Sequence, residues 1–238
     1  MRYIIFSDLH GNLAALENIL EHSNFSKEKD VLISLGDECD IGYHTFEILN
    51  RFKELNVIKL VGNHNVAHMY GGGINPYDYS LDPEIKYMLL EEYALRHHSI
   101  AYSIENRFLL THAGVSKRFL PKDCTTPDKA SMYLNRRYFE AIVSDGKDAI
   151  VKDSYIIDDE GPLWYRPSPY LEATEFYQVA GHTPIYIYFA EGIRNIEATT
   201  KIHLIDIYQP SIPRDKFCRY GVIEDGNFKK VEGWVDLL

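Results

Sequence analysis

Cysteine is scarce in this chain. There are three, Cys39, Cys124 and Cys218, an odd number at wide spacing and without a CxxC pair. That argues against a disulfide framework and fits a reducing compartment. Long apolar runs are missing as well. The opening run YIIF (3–6) is followed at once by Ser7-Asp8, which is too short for a signal peptide, and no stretch approaches a membrane span. The expectation is a soluble, cytoplasmic protein with no membrane partner. Positive charge is outnumbered, with 25 Lys and Arg against 35 Asp and Glu, a net charge of −10 with histidines neutral. A broad electrostatic surface for nucleic acid is therefore not expected. Internal repeats, low-complexity tracts and an obvious linker are absent too.

What is present is an ordinary globular balance, 45% apolar and 25% charged over 238 residues. Such a chain can bury a full core, and one domain over 1–238 is expected. Three strand-like runs, YIIF (3–6), VLISLGD (31–37) and VIKLVGNHN (57–65), alternate with helical stripes. The first stripe is Leu13, Leu16, Ile19 and Leu20, with Asn12 as its N-cap; the second is Phe46, Leu49, Phe52 and Leu55. The alternation predicts βαβαβ units and a largely parallel sheet, with the site at the carboxyl ends of its strands.

Further on, GGGINPYDYS (71–80) reads as a loop and a candidate lid, and 83–96 as a helix. Strands are expected at 99–104, 107–112, 176–182, 185–190 and 201–208. The stretch 129–144 reads as a helix with Met132, Phe139 and Ile142 inward, and 220–233 as a hairpin turning around Asp225-Gly226-Asn227. Polar loop is expected over 145–175 apart from LWYR.

Five short blocks carry the chemistry: DLH (8–10), GDECD (36–40), GNHN (62–65), THAG (111–114) and GHTP (181–184). Each places an Asp, Asn or His directly after an apolar run. These are the ligand types of a mixed oxygen and nitrogen site for manganese, iron or zinc. Asp8 and His10 lie at i and i+2 and can reach one metal. A carboxylate such as Asp37 has oxygens enough to bridge two.

In this order the blocks resemble the calcineurin-like metallophosphoesterase superfamily. The GHT form of the last block and the LWYRP segment are similar to its phosphoprotein phosphatase branch, in the bacterial and phage versions. The resemblance covers about residues 3–206. It implies a four-layer α/β/β/α sandwich of two mixed β-sheets flanked by helices. It implies Asp8 and His10 on a first metal, Asp37 bridging, and Asn63, His112 and His182 on a second. His64 would face the leaving-group oxygen as general acid, with Asp40 hydrogen-bonded to it. Two divalent cations, manganese first with iron or zinc as alternatives, would bring a shared water to near-neutral pKa for in-line attack on phosphorus. Arg166 in LWYRP is the candidate phosphate clamp, since a guanidinium engages two phosphoryl oxygens at once, with Asn63 also near substrate.

Three departures bear on substrate. Many members carry Asp-Arg-Gly where this chain has Asp40-Ile41-Gly42, an acid where it has Asn65, and Ile-Asp-Thr-Gly where it has Ile205-Asp206-Ile207-Tyr208. None removes a metal ligand. Outside the blocks, His22, His44, His97 and His98 read as surface or structural residues, His68 as a solvated loop residue, with reach to substrate as the alternative, and His203 as a satisfied sheet histidine. Cys39 reads as an inert buried thiol and Trp164 as packing under its loop, while Tyr165 and Tyr186 could line the cleft.

The expected function is metal-dependent phosphoester hydrolysis, foremost of phosphomonoesters on Ser/Thr phosphoprotein. A symmetrical bis(5'-nucleosyl)-tetraphosphatase is the alternative, so the partner is a phosphorylated protein or peptide, or a nucleotide. A nuclease lacks its basic strip here. A non-catalytic scaffold would have lost ligands or the acid, and all are present.

Overall fold

The computed structural model describes residues 1–70, 83–95, 99–145, 158–208 and 216–234. The glycine-rich run 71–80, together with His97 and His98, lies outside them. The first sheet has five strands in the order β3-β2-β1-β8-β9. These are β1 (Arg2–Phe6), β2 (Asp30–Ser34), β3 (Ile58–Lys59), β8 (Phe217–Glu224) and β9 (Asn227–Trp234). β1 to β3 run parallel, and β8 is antiparallel to both β1 and β9. The second sheet has four strands in chain order: β4 (Ala101–Ile104), β5 (Phe108–Thr111), β6 (Tyr177–Ala180) and β7 (Ile202–Leu204). β4 is antiparallel to β5 and the rest are parallel, so both sheets are mixed.

The two sheets pack face to face through Ile5, Ile33, Leu110, Val179, Ile205 and Ile223, one dry cluster drawn from both. On the outer face of the first sheet lie α1 (Leu13–His22) and α2 (Thr45–Leu55). α1 begins where Asn12 Oδ1 accepts the Ala15 N–H at 3.1 Å, a cap worth about 1 kcal/mol. Toward the second sheet pack α3 (Asn63–Tyr70), α4 (Pro83–Leu89) with its π-helical continuation Leu90–Leu95, and α5 (Pro127–Asp145). α6 (Tyr186–Ala190) and α7 (Ile196–Thr200) cover the far end of that sheet. The result is the four-layer α/β/β/α arrangement expected from the motifs.

Several expectations need correction. The run 185–190, read as a strand from its alternation, is helix α6; Tyr188 is buried there and its Oη donates to Pro167 O at 2.6 Å, a tertiary contact that overrides β-propensity. In α5 the inward face is Ala130, Leu134, Tyr138 and Ala141, whereas Met132 and Phe139 are exposed and only Ile142 faces the core. The small alanines let α5 approach closely, and a reading weighted to large apolar residues chose the neighbouring stripe. In α2, Phe46 is exposed and Ile48 takes its place inside. β3 is two residues long, so Asn63 opens a helix and does not end a strand. The hairpin at Asp225-Gly226 and the sheet position of His203, stacked on Phe228 at 4.1 Å, are as expected.

Candidate metal centre

Parallel register brings the first two blocks together. Phe6 pairs with Ser34. Beyond the strand ends the pairing continues as loop against loop: Asp8 N to Gly36 O at 3.1 Å, His10 N to Asp37 O at 2.9 Å, and Gly11 N to Glu38 O at 2.7 Å. The same logic in the second sheet pairs Leu110 with Val179 and continues as Gly181 N to His112 O at 2.7 Å. Two hydrogen bonds then tie sheet to sheet. His182 N donates to Asp8 Oδ2 at 2.9 Å, and His112 Nδ1 donates to Leu35 O at 3.1 Å.

The backbone at this junction is unusual. Asp8, His10, Asp37, Asp40, Ile41 and His182 all have φ between 46° and 74°. Left-handed geometry costs a non-glycine residue of order 1 kcal/mol or more, and such residues gather where the surroundings over-determine them, often at functional sites. Glycine is required at Gly62 and Gly181 for a different reason: a Cβ on Gly62 would collide with Asp37 Oδ1, and one on Gly181 with Ser7 Oγ and Asp8 Oδ2.

Asp37 is the hub. Its oxygens belong to two triads, His10–Asp37–His64 and Asp8–Asp37–His112, each with ligand atoms within 4.8 Å of one another. Its Oδ1 accepts the main-chain N–H of His64 at 2.9 Å, and its Oδ2 lies 3.2 Å from His112 Nε2. Burial alone would raise this carboxyl. The charges of His112 and His64 outweigh it and hold Asp37 well below the usual range.

Asn63 Oδ1 lies 2.7 Å from His112 Nε2. Against the cost of burial, Asp37 pushes the His112 imidazole up to about 9. His182 goes the other way: burial, then the positive charge of His112 and Arg166, holds it well below its ordinary value. His10 Nδ1 donates to Cys39 O at 3.0 Å, which leaves Nε2 facing Asp8 Oδ1 at 3.8 Å.

The fit to metal rests on two observations. His182 Nε2 is buried without a hydrogen-bond partner among the described residues, and its ring stands 5.1 Å from that of His112. Carboxylates and imidazoles crowd around Asp37, whereas buried charges in proteins are paired or coordinate metals. Asp, Asn and His together form a donor set for divalent transition metals.

His64 Nδ1 donates to Asp40 Oδ2 at 2.6 Å, and Asp40 is fully buried. Burial opposes charge on both. For His64 the Asp37 charge and the Asp40 hydrogen bond win and raise its pKa; for Asp40 the paired imidazole wins and lowers it well below the ordinary value. Arg166 is exposed on the loop after Trp164-Tyr165, and its charge is felt at His182, Tyr186 and Tyr188. Trp164 stands edge-on to His182 at 5.5 Å, so it packs against the site itself. Tyr165 is buried, and Tyr186 lines a separate cavity of about 500 Å³ with Ile185, Glu197, Arg219 and Lys230, a lining that includes none of the candidate ligands.

The motif reading missed two residues. His68 is not a solvated loop residue: it lies on α3, buried, with Nε2 3.6 Å from Asp40 Oδ2. Its i+4 spacing from His64 was the available signal. Glu38 is buried beneath the site, where Asn65 Nδ2 donates to it at 2.8 Å and burial pushes its carboxyl up to about 7. Asn65 itself is fully buried. Cys39 is buried, its thiol raised by burial and by neighbouring carboxylates, as the inert reading required.

The model of the calcineurin-like phosphoesterases matches residues 1–209. The chain belongs to that family. This phosphoesterase matches no curated protein sequence. Among solved structures it is similar to a cold-active protein tyrosine phosphatase of a psychrophilic Shewanella species, at 16% identity and TM-score 0.62, covering 98% of this chain and 80% of that one. A protein serine/threonine phosphatase from Saccharomyces cerevisiae matches at 14% identity and TM-score 0.63, covering 100% and 81%. A putative diadenosine tetraphosphatase matches at 18% identity and TM-score 0.52, covering 98% and 94%. At these identities the likeness concerns the fold. The family's chemistry is metal-dependent phosphoester hydrolysis, and among the described residues no helix is long and apolar enough to cross a membrane.

Proposed function

We propose that the chain is one catalytic domain over 1–238 that hydrolyses phosphomonoesters, with Ser/Thr phosphoprotein as its substrate class. The observation that carries this reading is Asp37, whose carboxylate is shared by two ligand triads at the mouth of both sheets. In this reading Asp8, His10 and Asp37 hold one divalent cation, and Asp37, Asn63, His112 and His182 a second, manganese before iron or zinc. Bound there, the pair supplies Lewis acidity, neutralising charge on the phosphoryl oxygens and making water acidic.

The chain's own groups do the rest. His112 Nδ1 is committed to Leu35 O, which leaves Nε2 for the metal side. Arg166 clamps two phosphoryl oxygens and fixes the phosphorus for in-line displacement. His64, protonated and held through Nδ1 by Asp40, presents Nε2 to the leaving oxygen and gives it a proton. The buried, unpaired cysteines support a cytoplasmic setting.

A diadenosine tetraphosphatase activity is the second reading, favoured by Tyr186, an aromatic ring whose phenol feels the charge of Arg166. Product analysis separates the two: phosphate from a phosphopeptide, or two nucleoside diphosphates from diadenosine tetraphosphate.

The test is phosphate release from p-nitrophenyl phosphate by metal-stripped protein, with and without manganese, alongside Asp37→Asn. Activity that needs metal and vanishes in the variant supports the reading; folded protein inactive with every divalent metal overturns it. Replacing His64 should slow alkyl phosphates far more than p-nitrophenyl phosphate, whose leaving group needs little protonation. Equal losses would remove His64 from the acid role.

A further inference from the structure

His68 is an imidazole the reaction above does not use. Its side chain is 2% exposed, and its Nε2 has no hydrogen-bond partner among the described residues. An unmet buried group costs about 1–3 kcal/mol, so one kept beside an active site calls for an explanation. What faces it is Asp40 Oδ2 at 3.6 Å, the oxygen that also accepts from His64 Nδ1 at 2.6 Å. His64 and His68 are four residues apart on α3, so both rings descend on this one carboxylate from the same helical face. Asp40 Oδ1 is held by the Ile41 N–H at 3.0 Å. A carboxylate has about four acceptor sites, so Oδ2 can take a second imidazole, and a shift of about half an ångström would bring Nε2–H into bonding range.

We infer that His68 is a positioning residue for leaving-group protonation: its Nε2–H holds the Asp40 carboxylate from behind, so that Oδ2 stays on His64 Nδ1 and His64 Nε2 stays aimed at the leaving oxygen. The inference rests on the phosphatase reading of the site. In the step it serves, the bond from phosphorus to the leaving oxygen breaks with its electron pair on oxygen, and that oxygen takes the Nε2 proton of His64. The Nδ1 proton stays between His64 and Asp40, and none passes to His68. Asp37 Oδ2, 4.0 Å from His64 Nε2, and the His10 ring, 4.8 Å away centre to centre, face His64 from the other side.

The experiment compares His68→Leu, which removes the donor, with His68→Gln, whose amide restores one at the same reach, in the full chain with manganese. With a serine-phosphorylated peptide, kcat of the Leu variant should fall roughly tenfold, part of the hundredfold or more a general acid contributes, with KM little changed. With p-nitrophenyl phosphate it should stay within about twofold, because that leaving group needs no proton. The Gln variant should recover most of the loss, and His68→Leu should cost nothing further in an Asp40→Asn background. Equal losses on both substrates, no loss on the peptide, or additive losses in the double variant would overturn the assignment. Should the Leu variant not fold, His68→Asn, whose shorter amide cannot reach Asp40, takes its place.

A second arm needs no turnover. In metal-free protein the His64 Nδ1 proton, deshielded by its short bond to Asp40, should move upfield in the NMR spectrum of the Leu variant and return in the Gln variant. An unchanged resonance overturns the role. Wild-type protein inactive on both substrates would instead refute the phosphatase reading, and the resonance would still decide His68.

Discussion

Asn65 Oδ1 accepts the main-chain N–H of Asp37 at 3.0 Å and that of Gly62 at 2.8 Å, while its Nδ2 donates to Glu38 at 2.8 Å. One fully buried amide thus staples the Asp37 backbone to Gly62, just before the helix that carries Asn63 and His64. Asn65→Ala leaves two N–H groups and a carboxyl oxygen unmet. The expected cost is about 2–4 kcal/mol in urea unfolding, from unsatisfied groups of about 1–3 kcal/mol each. A loss below half a kilocalorie would mean that water replaces the staple.

Glu38 predicts a pH dependence of stability in metal-free protein. Burial raises its carboxyl from 4.5 to about 7 on folding. Below the unfolded value both states are protonated. Between the two values the unfolded chain gives up the proton first, so this group's contribution to stability falls as pH rises across that window and stays low above it. Glu38→Gln should remove the dependence and be more stable at pH 8 by about 2–3 kcal/mol. Parallel stability curves for the two proteins would refute this.

His112 predicts how metal affinity varies with pH. Its imidazole sits at about 9 in the metal-free site, so a metal taking Nε2 must displace a proton. Apparent manganese affinity should rise by up to about tenfold per pH unit below that value, with proton release measurable by calorimetry in buffers of different ionisation enthalpy. Binding without proton release would exclude His112 as a ligand.

Gly181→Ala presses a methyl into Ser7 Oγ and Asp8 Oδ2. Asp8 cannot yield without losing the His182 N–H bond that joins the sheets. The variant should bind manganese roughly 10–100-fold more weakly, seen as a smaller rise in Tm on adding metal.

Ile41 stands at φ 71°, a β-branched residue in left-handed geometry and nearly half exposed. Ile41→Asn places a residue tolerant of that geometry and should stabilise the fold by about 0.5–1 kcal/mol in urea unfolding. Destabilisation would show that the Ile41 side chain packs more than its exposure suggests.

Much of this protein is written locally. The period of YIIF and of the Leu13 to Leu20 stripe set β1 and α1, and the acids Asp8 and Asp37 follow shortly after β1 and β2 stop. Asp8, His10, Asp37, Asn63, His64, His112 and His182 could be named because each block carries its own chemistry within three to five residues. Which face of α5 turns inward, and whether 185–190 is strand or helix, depends on what packs against them, and local pattern pointed to the wrong face and the wrong element.

Only tertiary structure decided the pairings. Parallel register, continued past the strand ends, set Asp8 beside Gly36 and His112 beside Gly181. Packing of the two sheets then joined residues 174 apart in sequence, His182 and Asp8. The burial of His68 and Glu38 followed from that packing, because a side chain's surroundings belong to the assembled layers. The sequence determined which carboxylates, amides and imidazoles exist and in what order; the sheets determined which of them gather around Asp37, since only long-range contacts can bring such groups from both layers this close together.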